Sequence, residues 1–109
     1  VPKKPETLFK EKVQADLKTI PQSWWLKTQQ ISTVGIPDII GCVKGKFVAI
    51  ELKRDGKEAA KPHTLQRHVV GLITKADGFA VFMHPGNAKE IIAKIRRLAP
   101  LIILFLPLY

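Results

Sequence analysis

The sequence predicts an α/β fold, a central mixed sheet of about four strands flanked by helices. Three observations point to it. Apolar residues recur at helical spacing in three segments. Short runs rich in valine, isoleucine and aromatic residues lie between them, bounded by glycine, proline and polar residues. The segments follow the order helix, three strands, helix, strand, helix, which suits a sheet covered by helices. A length of 109 residues fits one domain.

Each element has its own signature. Val1–Lys4 is a short basic arm. Pro5 suits the first turn of a helix, and Glu6 complements its positive end. Phe9, Val13, Leu17 and Ile20 make one apolar stripe, Lys10, Lys12 and Lys18 lie on the outer face, and Pro21 ends the helix. Ser23–Ile31 reads as a strand led by Trp24 and Trp25. Adjacent strand residues face opposite ways, so at least one tryptophan belongs to the core. A polar stretch then leads to Gly35. Asp38–Val43 is the second strand and Phe47–Lys53 the third, joined as a hairpin through Lys44-Gly45. On the third strand Phe47, Ala49, Glu51 and Lys53 share one face, and Val48, Ile50 and Leu52 share the other.

Arg54–Pro62 reads as a charged loop. Leu65, Val69, Leu72, Ile73 and Ala76 form a helical stripe closed by Gly78 as a C-terminal cap. Phe79–Met83 is a short strand. Asn87 and Glu90 suggest a capping box for a last helix, with Ile91, Ile92, Ile95 and Leu98 inside and Lys89, Lys94, Arg96 and Arg97 outside. Pro100 stops it. Residues 1–100 thus form the domain, and residues 101–109 are an uncharged apolar tail.

Composition narrows the function. Hydrophobic residues at 46% and charged residues at 25% argue against disorder. Eighteen Lys+Arg against nine Asp+Glu give a net charge of +9. On so small a domain such a field favours polyanions, nucleic acid first and an anionic membrane surface second. No apolar run is long enough to span a bilayer and no stretch reads as a signal peptide. The single cysteine, Cys42, excludes an internal disulfide and argues against structural zinc, so an intracellular, reducing compartment is expected. Cys42 alternates with Asp38 and Ile40, which predicts a buried, unreactive thiol. His63, His68 and His84 lack metal-ligand spacing, and no glycine-rich phosphate loop implies a nucleotide cofactor.

The residues that can carry chemistry are Pro37-Asp38 and Glu51-Leu52-Lys53. Glu51 and Lys53 point to one face of a strand, and the hairpin lays Asp38 across from them. Two carboxylates at short range repel each other unless a cation lies between them. Hard oxygen ligands select magnesium, with manganese as a substitute, and the backbone carbonyl of Leu52 is a candidate third ligand. A metal-bound water and a nearby lysine are the parts that phosphodiester hydrolysis needs. The plain alternative is a solvated ion pair of Glu51 with Lys53 or Arg54.

Gly35-Ile36-Pro37-Asp38-Ile39-Ile40, Phe47-Val48-Ala49-Ile50-Glu51-Leu52-Lys53-Arg54 and Leu65-Gln66 resemble the PD-(D/E)XK nuclease core. More narrowly they resemble the small stand-alone VRR-NUC nucleases found in phages. The resemblance runs from about Pro5 to Leu98. It implies a restriction-endonuclease-like α/β/α core with Asp38 and Glu51 as metal ligands and Lys53 as the catalytic lysine. Gln66 would order the site or contact the phosphate backbone. The family also places a glutamate on the first helix. Glu6 lies on the inward stripe and Glu11 roughly opposite, so Glu6 is chosen. The expected activity is magnesium-dependent endonucleolytic cleavage of DNA, with branched or four-way-junction DNA as substrate and the cytoplasm, a host's if phage-encoded, as compartment. A nicking or restriction-type endonuclease with the same core is the alternative enzyme, and a catalytically silent DNA-binding module the alternative outside catalysis. Lys57, Lys61 and Arg67 are candidate DNA contacts. Symmetric cleavage of a junction needs two active sites, hence a homodimer. The apolar tail would pair with a sheet edge, its own or a partner's, unless it is an expression remnant.

Overall fold

The computed structural model describes residues 1–28 and 35–100. Helix α1 (Pro5–Lys18) leads into β1 (Ser23–Lys27), β2 (Ile39–Val43) and β3 (Lys46–Leu52). A short α2 (Gly56–Ala60), the longer α3 (Thr64–Lys75), β4 (Phe79–Met83) and α4 (Ala88–Arg96) follow. The strands form one four-stranded mixed sheet in sequence order. β1, β2 and β3 are antiparallel neighbours, and β4 lies parallel to β3. A parallel pair needs a long crossover, which α2 and α3 supply.

The hairpin between β2 and β3 turns on Lys44 and Gly45, both with positive φ, 53° and 87°. Two such residues give the turn whose twist matches the flanking strands. Alternation along the strands then sorts the faces. Ile39 and Val43 of β2, Val48, Ile50 and Leu52 of β3 and Met83 of β4 pack with Val13 and Leu17 of α1 and Ile91, Ile92 and Ile95 of α4. Trp25 joins this core, its ring N–H donating to Ser23 Oγ at 3.0 Å, while Trp24 remains 60% exposed on the other face.

That second face is covered only in part. α3 packs against β4 and β3. Ala49 and Glu51, on the face opposite the main core, are buried beneath it. The β1–β2 half lacks such a cover among the described residues; Trp24 and Leu26 of β1 are exposed, and so is Phe47 at the start of β3. Cys42 is exposed with them, which corrects its expected burial. The alternation holds, but Cys42 lies on the half of that face which α3, packed on β4 and β3, does not cover. For the same reason the apolar stripe of α3 is half-buried at best, with Leu72 and Ala76 exposed.

Local chemistry departs from expectation at four more places. β1 ends at Lys27, and the rest of the strand predicted to Ile31 runs into residues outside those described. The charged loop holds α2, capped by Asp55, whose carboxylate accepts the Glu58 N–H at 2.9 Å. The dense charge of Arg54–Pro62 predicts a loop and hides the cap that Asp55 provides. At the end of α3 the left-handed residue is Asp77 (φ 65°), not Gly78. Gly78 comes one position later and donates to Ile73 O at 2.9 Å, with Asp77 donating to Thr74 O at 3.1 Å. Asn87 precedes α4 without capping it through its side chain. Its Oδ1 accepts from His84 N at 2.8 Å and its Nδ2 donates to Phe82 O at 3.3 Å, fastening the turn after β4 instead. No described helix is long and apolar enough to cross a membrane.

Candidate active site

The ends of β2 and β3 farthest from the hairpin turn hold the two carboxylates. Ile39 pairs with Ile50, so the same antiparallel register sets Asp38 opposite Glu51. Asp38 is fixed from both sides. Its backbone carbonyl accepts from Thr28 N at 2.9 Å, and its Oδ2 accepts from Leu52 N at 2.8 Å. The Thr28 hydroxyl, buried, donates to the carbonyl of Pro37. Thr28 therefore ties the Pro37-Asp38 step to the end of β1, a positioning role that its sequence context did not signal.

Glu51 is 5% exposed, which is rare for a carboxylate in an otherwise apolar setting. Burial is the largest influence on it, followed by its hydrogen bond to the Asp38 carboxylate and the negative charge there. Together they push its pKa up to about 8, against the smaller opposing fields of Lys53 and Lys10. Two acids are thus held together where only one can readily ionise in the absence of a further cation.

Lys53 follows the strand end. Its backbone N–H donates to Met83 O at 2.7 Å, anchoring it to β4. Its ammonium donates to Gln66 Oε1 at 2.6 Å and lies 6.0 Å from the centre of the Phe82 ring. The same Gln66 oxygen accepts from His63 N at 3.3 Å, while His63 Nδ1 accepts from Leu65 N at 3.2 Å. This reciprocal pair caps α3. Gln66 thereby couples the start of the helix to the lysine, and His63 serves as the N-cap, a role the sequence reading did not assign.

Helix α1 closes the site from the other side. Pro5, Glu6, Phe9 and Lys10 line a cleft of about 200 Å³ together with Leu52, Lys53 and Arg54. Glu6 and Lys53 therefore share one cleft, although Glu6 is exposed and not turned inward as its place on the apolar stripe predicts. Glu11 points away and is held by Lys3 at 2.8 Å. A smaller recess of about 50 Å³ lies on the far side of Leu52, lined by Lys10, Gln14, Lys27 and Asp38. The exposed Lys57, Lys61 and Arg67 line neither cleft.

Among the described residues no three His, Cys, Asp or Glu side chains cluster as a metal site. Two carboxylates and a carbonyl do suit magnesium, which takes few protein ligands and keeps its waters. Asp38, Glu51 and the Leu52 carbonyl are the residues that could supply that donor set. Buried Glu51, kept protonated against the half-buried Asp38, is the feature of this structure that a divalent cation would relieve by letting both carboxylates ionise. No family model, curated protein or solved structure matches the chain.

Proposed function

We propose that the protein is a magnesium-dependent endodeoxyribonuclease of the PD-(D/E)XK type, resembling the small VRR-NUC nucleases. The supporting observation is the placement of buried Glu51 against Asp38, with Lys53 two residues further on and held by Gln66. An ion pair on a solvated sheet end would leave Glu51 exposed and paired with a cation. Here Glu51 is buried and its nearest acid partner is another carboxylate.

Asp38, Glu51 and the Leu52 carbonyl would hold magnesium or manganese, which supplies an acidified water and charge stabilisation at the phosphate. The chain's own groups do the rest. Lys53 has one N–H engaged by Gln66 and two left to orient the attacking water and to meet charge developing on phosphate oxygens. Gln66 fixes the ammonium over the site. Glu6 lines the same cleft and can accept a hydrogen bond from water entering it. The +9 charge draws DNA by its backbone with little sequence preference. Branched DNA, four-way junctions above all, is the proposed substrate, an intracellular compartment the proposed setting, and a homodimer the form that cuts both strands symmetrically.

Cleavage of four-way junctions, flaps and linear duplexes in magnesium, manganese or EDTA tests the reading. Junction cleavage in either metal and none in EDTA is expected. Preferential cutting of linear duplex would favour a nicking or restriction-type enzyme, and binding without cleavage in any metal would favour a silent module.

A further inference from the structure

Lys10 occupies an unusual position relative to the site. The helical periodicity put it on the outer face of the first helix, yet the fold makes it a wall of both clefts. Leu52 is the other residue that lines both. Lys10 therefore borders both clefts, with Glu6 and Lys53 in the larger and Asp38 and Lys27 in the smaller. Its positive charge also acts on Glu51.

The cations of the larger cleft differ in what holds them. The Lys53 ammonium is held by Gln66. Arg54 is shared between Asp55 at 3.2 Å and Glu58 at 3.8 Å. Lys10 has no hydrogen-bond or ion-pair partner among the described residues. Lys27, in the smaller recess, likewise has none. An unpaired ammonium beside two carboxylates supplies what a polyanion needs to approach them, a compact positive charge at the point of greatest repulsion.

We propose that Lys10 holds the backbone phosphate of DNA as the strand passes from one cleft to the other, with Lys27 taking the neighbouring phosphate on the Asp38 side. This rests on the nuclease reading and adds the path of the strand over the site. Lys10 is then a substrate-positioning residue, set apart from the lysine of the chemical step.

The test measures binding of a fluorescently labelled four-way junction in EDTA across a salt series. It compares the full chain with Lys10→Gln, Lys27→Gln and Lys12→Gln, the last an equal charge change on the same helix. Each phosphate contact contributes about 0.9 to the slope of log affinity against log salt. Lys10→Gln and Lys27→Gln should each flatten that slope by about one and weaken binding about tenfold at moderate salt. Lys12→Gln should leave the slope unchanged, and Lys10→Arg should restore binding. In magnesium, Lys10→Gln should raise the DNA concentration for half-maximal single-turnover cleavage with little change in the maximal rate. Equal slopes for Lys10→Gln and Lys12→Gln would overturn the proposal, as would a full chain that binds no DNA. A full chain that binds but never cleaves would overturn the nuclease reading alone, and the slopes would still decide the role of Lys10.

Discussion

Glu51 concentrates the chemistry of the molecule at one residue. Its alternation on an apolar strand was legible in the sequence, as was its partnership with Asp38 through the hairpin. Its burial was not, because that depends on α3 covering the β3–β4 half of the sheet. The consequence is a pH dependence. In the folded, metal-free protein Glu51 titrates near 8, above its ordinary 4.5. Between those values the folded state keeps a proton that the unfolded chain releases. Its stabilising contribution is therefore complete below pH 4.5 and is lost as pH rises through 8. In EDTA the melting temperature should fall between pH 6 and pH 8.5, and Glu51→Gln should flatten that fall and melt higher than the natural chain at pH 8.5. Identical pH profiles for the two would place the titration elsewhere. Lys53→Ala should slow single-turnover cleavage by ~10²-fold or more, the scale of one electrostatic stabiliser. An effect on affinity alone would reduce Lys53 to a phosphate contact.

Elements joined by local signals were the easiest to read. The β2–β3 hairpin announces itself in Lys44-Gly45, and the strand that follows α3 in its valine and phenylalanines. Caps were harder, because several side chains compete for each role. Asn87 had the spacing of a cap but bonds back to β4, and His63 took a capping role that histidine rarely fills. The contact of α1 with the site was legible only in part. Periodicity put Glu6 on the inward stripe, yet Glu6 is exposed and only lines the cleft, and periodicity could not show that Lys10 borders both clefts, since that depends on how the helix crosses the strand ends. Packing between strands makes a sharper test of the fold. A Cβ at Gly41, in the middle of β2, would fall on the Trp24 carbonyl and the Trp25 ring. Gly41→Ala should cost ~1–3 kcal/mol by overpacking and lower the melting temperature by ~4 °C or more. An unchanged melting temperature would contradict the register of β1 against β2. Gln66→Ala removes both the cap and the hold on Lys53, so thermal stability and turnover should fall together. A loss of stability alone would separate the cap from the site.

Across the whole molecule, charge and exposed apolar surface set the expected behaviour. The excess of lysine and arginine was plain from composition, and affinity for any one junction should drop steeply between low and physiological salt. The exposed half-face around Trp24, Leu26 and Phe47 was not plain, because it depends on which strands α3 crosses, and α3 packs on β4 and β3. That surface and the apolar residues 101–109, which lie outside those described, are where a second copy could associate. Light scattering should give a dimer, and a monomer at micromolar concentration would remove symmetric cleavage from the proposal. The most direct test of metal-dependent hydrolysis at Asp38 and Glu51 compares the natural chain with Asp38→Asn, purified identically, on one labelled four-way junction in magnesium. Binding and single-turnover cleavage are measured side by side. Asp38→Asn should bind the junction at least as tightly and cleave it at least ~10³-fold more slowly, since one carboxylate of the metal pair is gone. Near-normal cleavage by Asp38→Asn would contradict the assignment of the site.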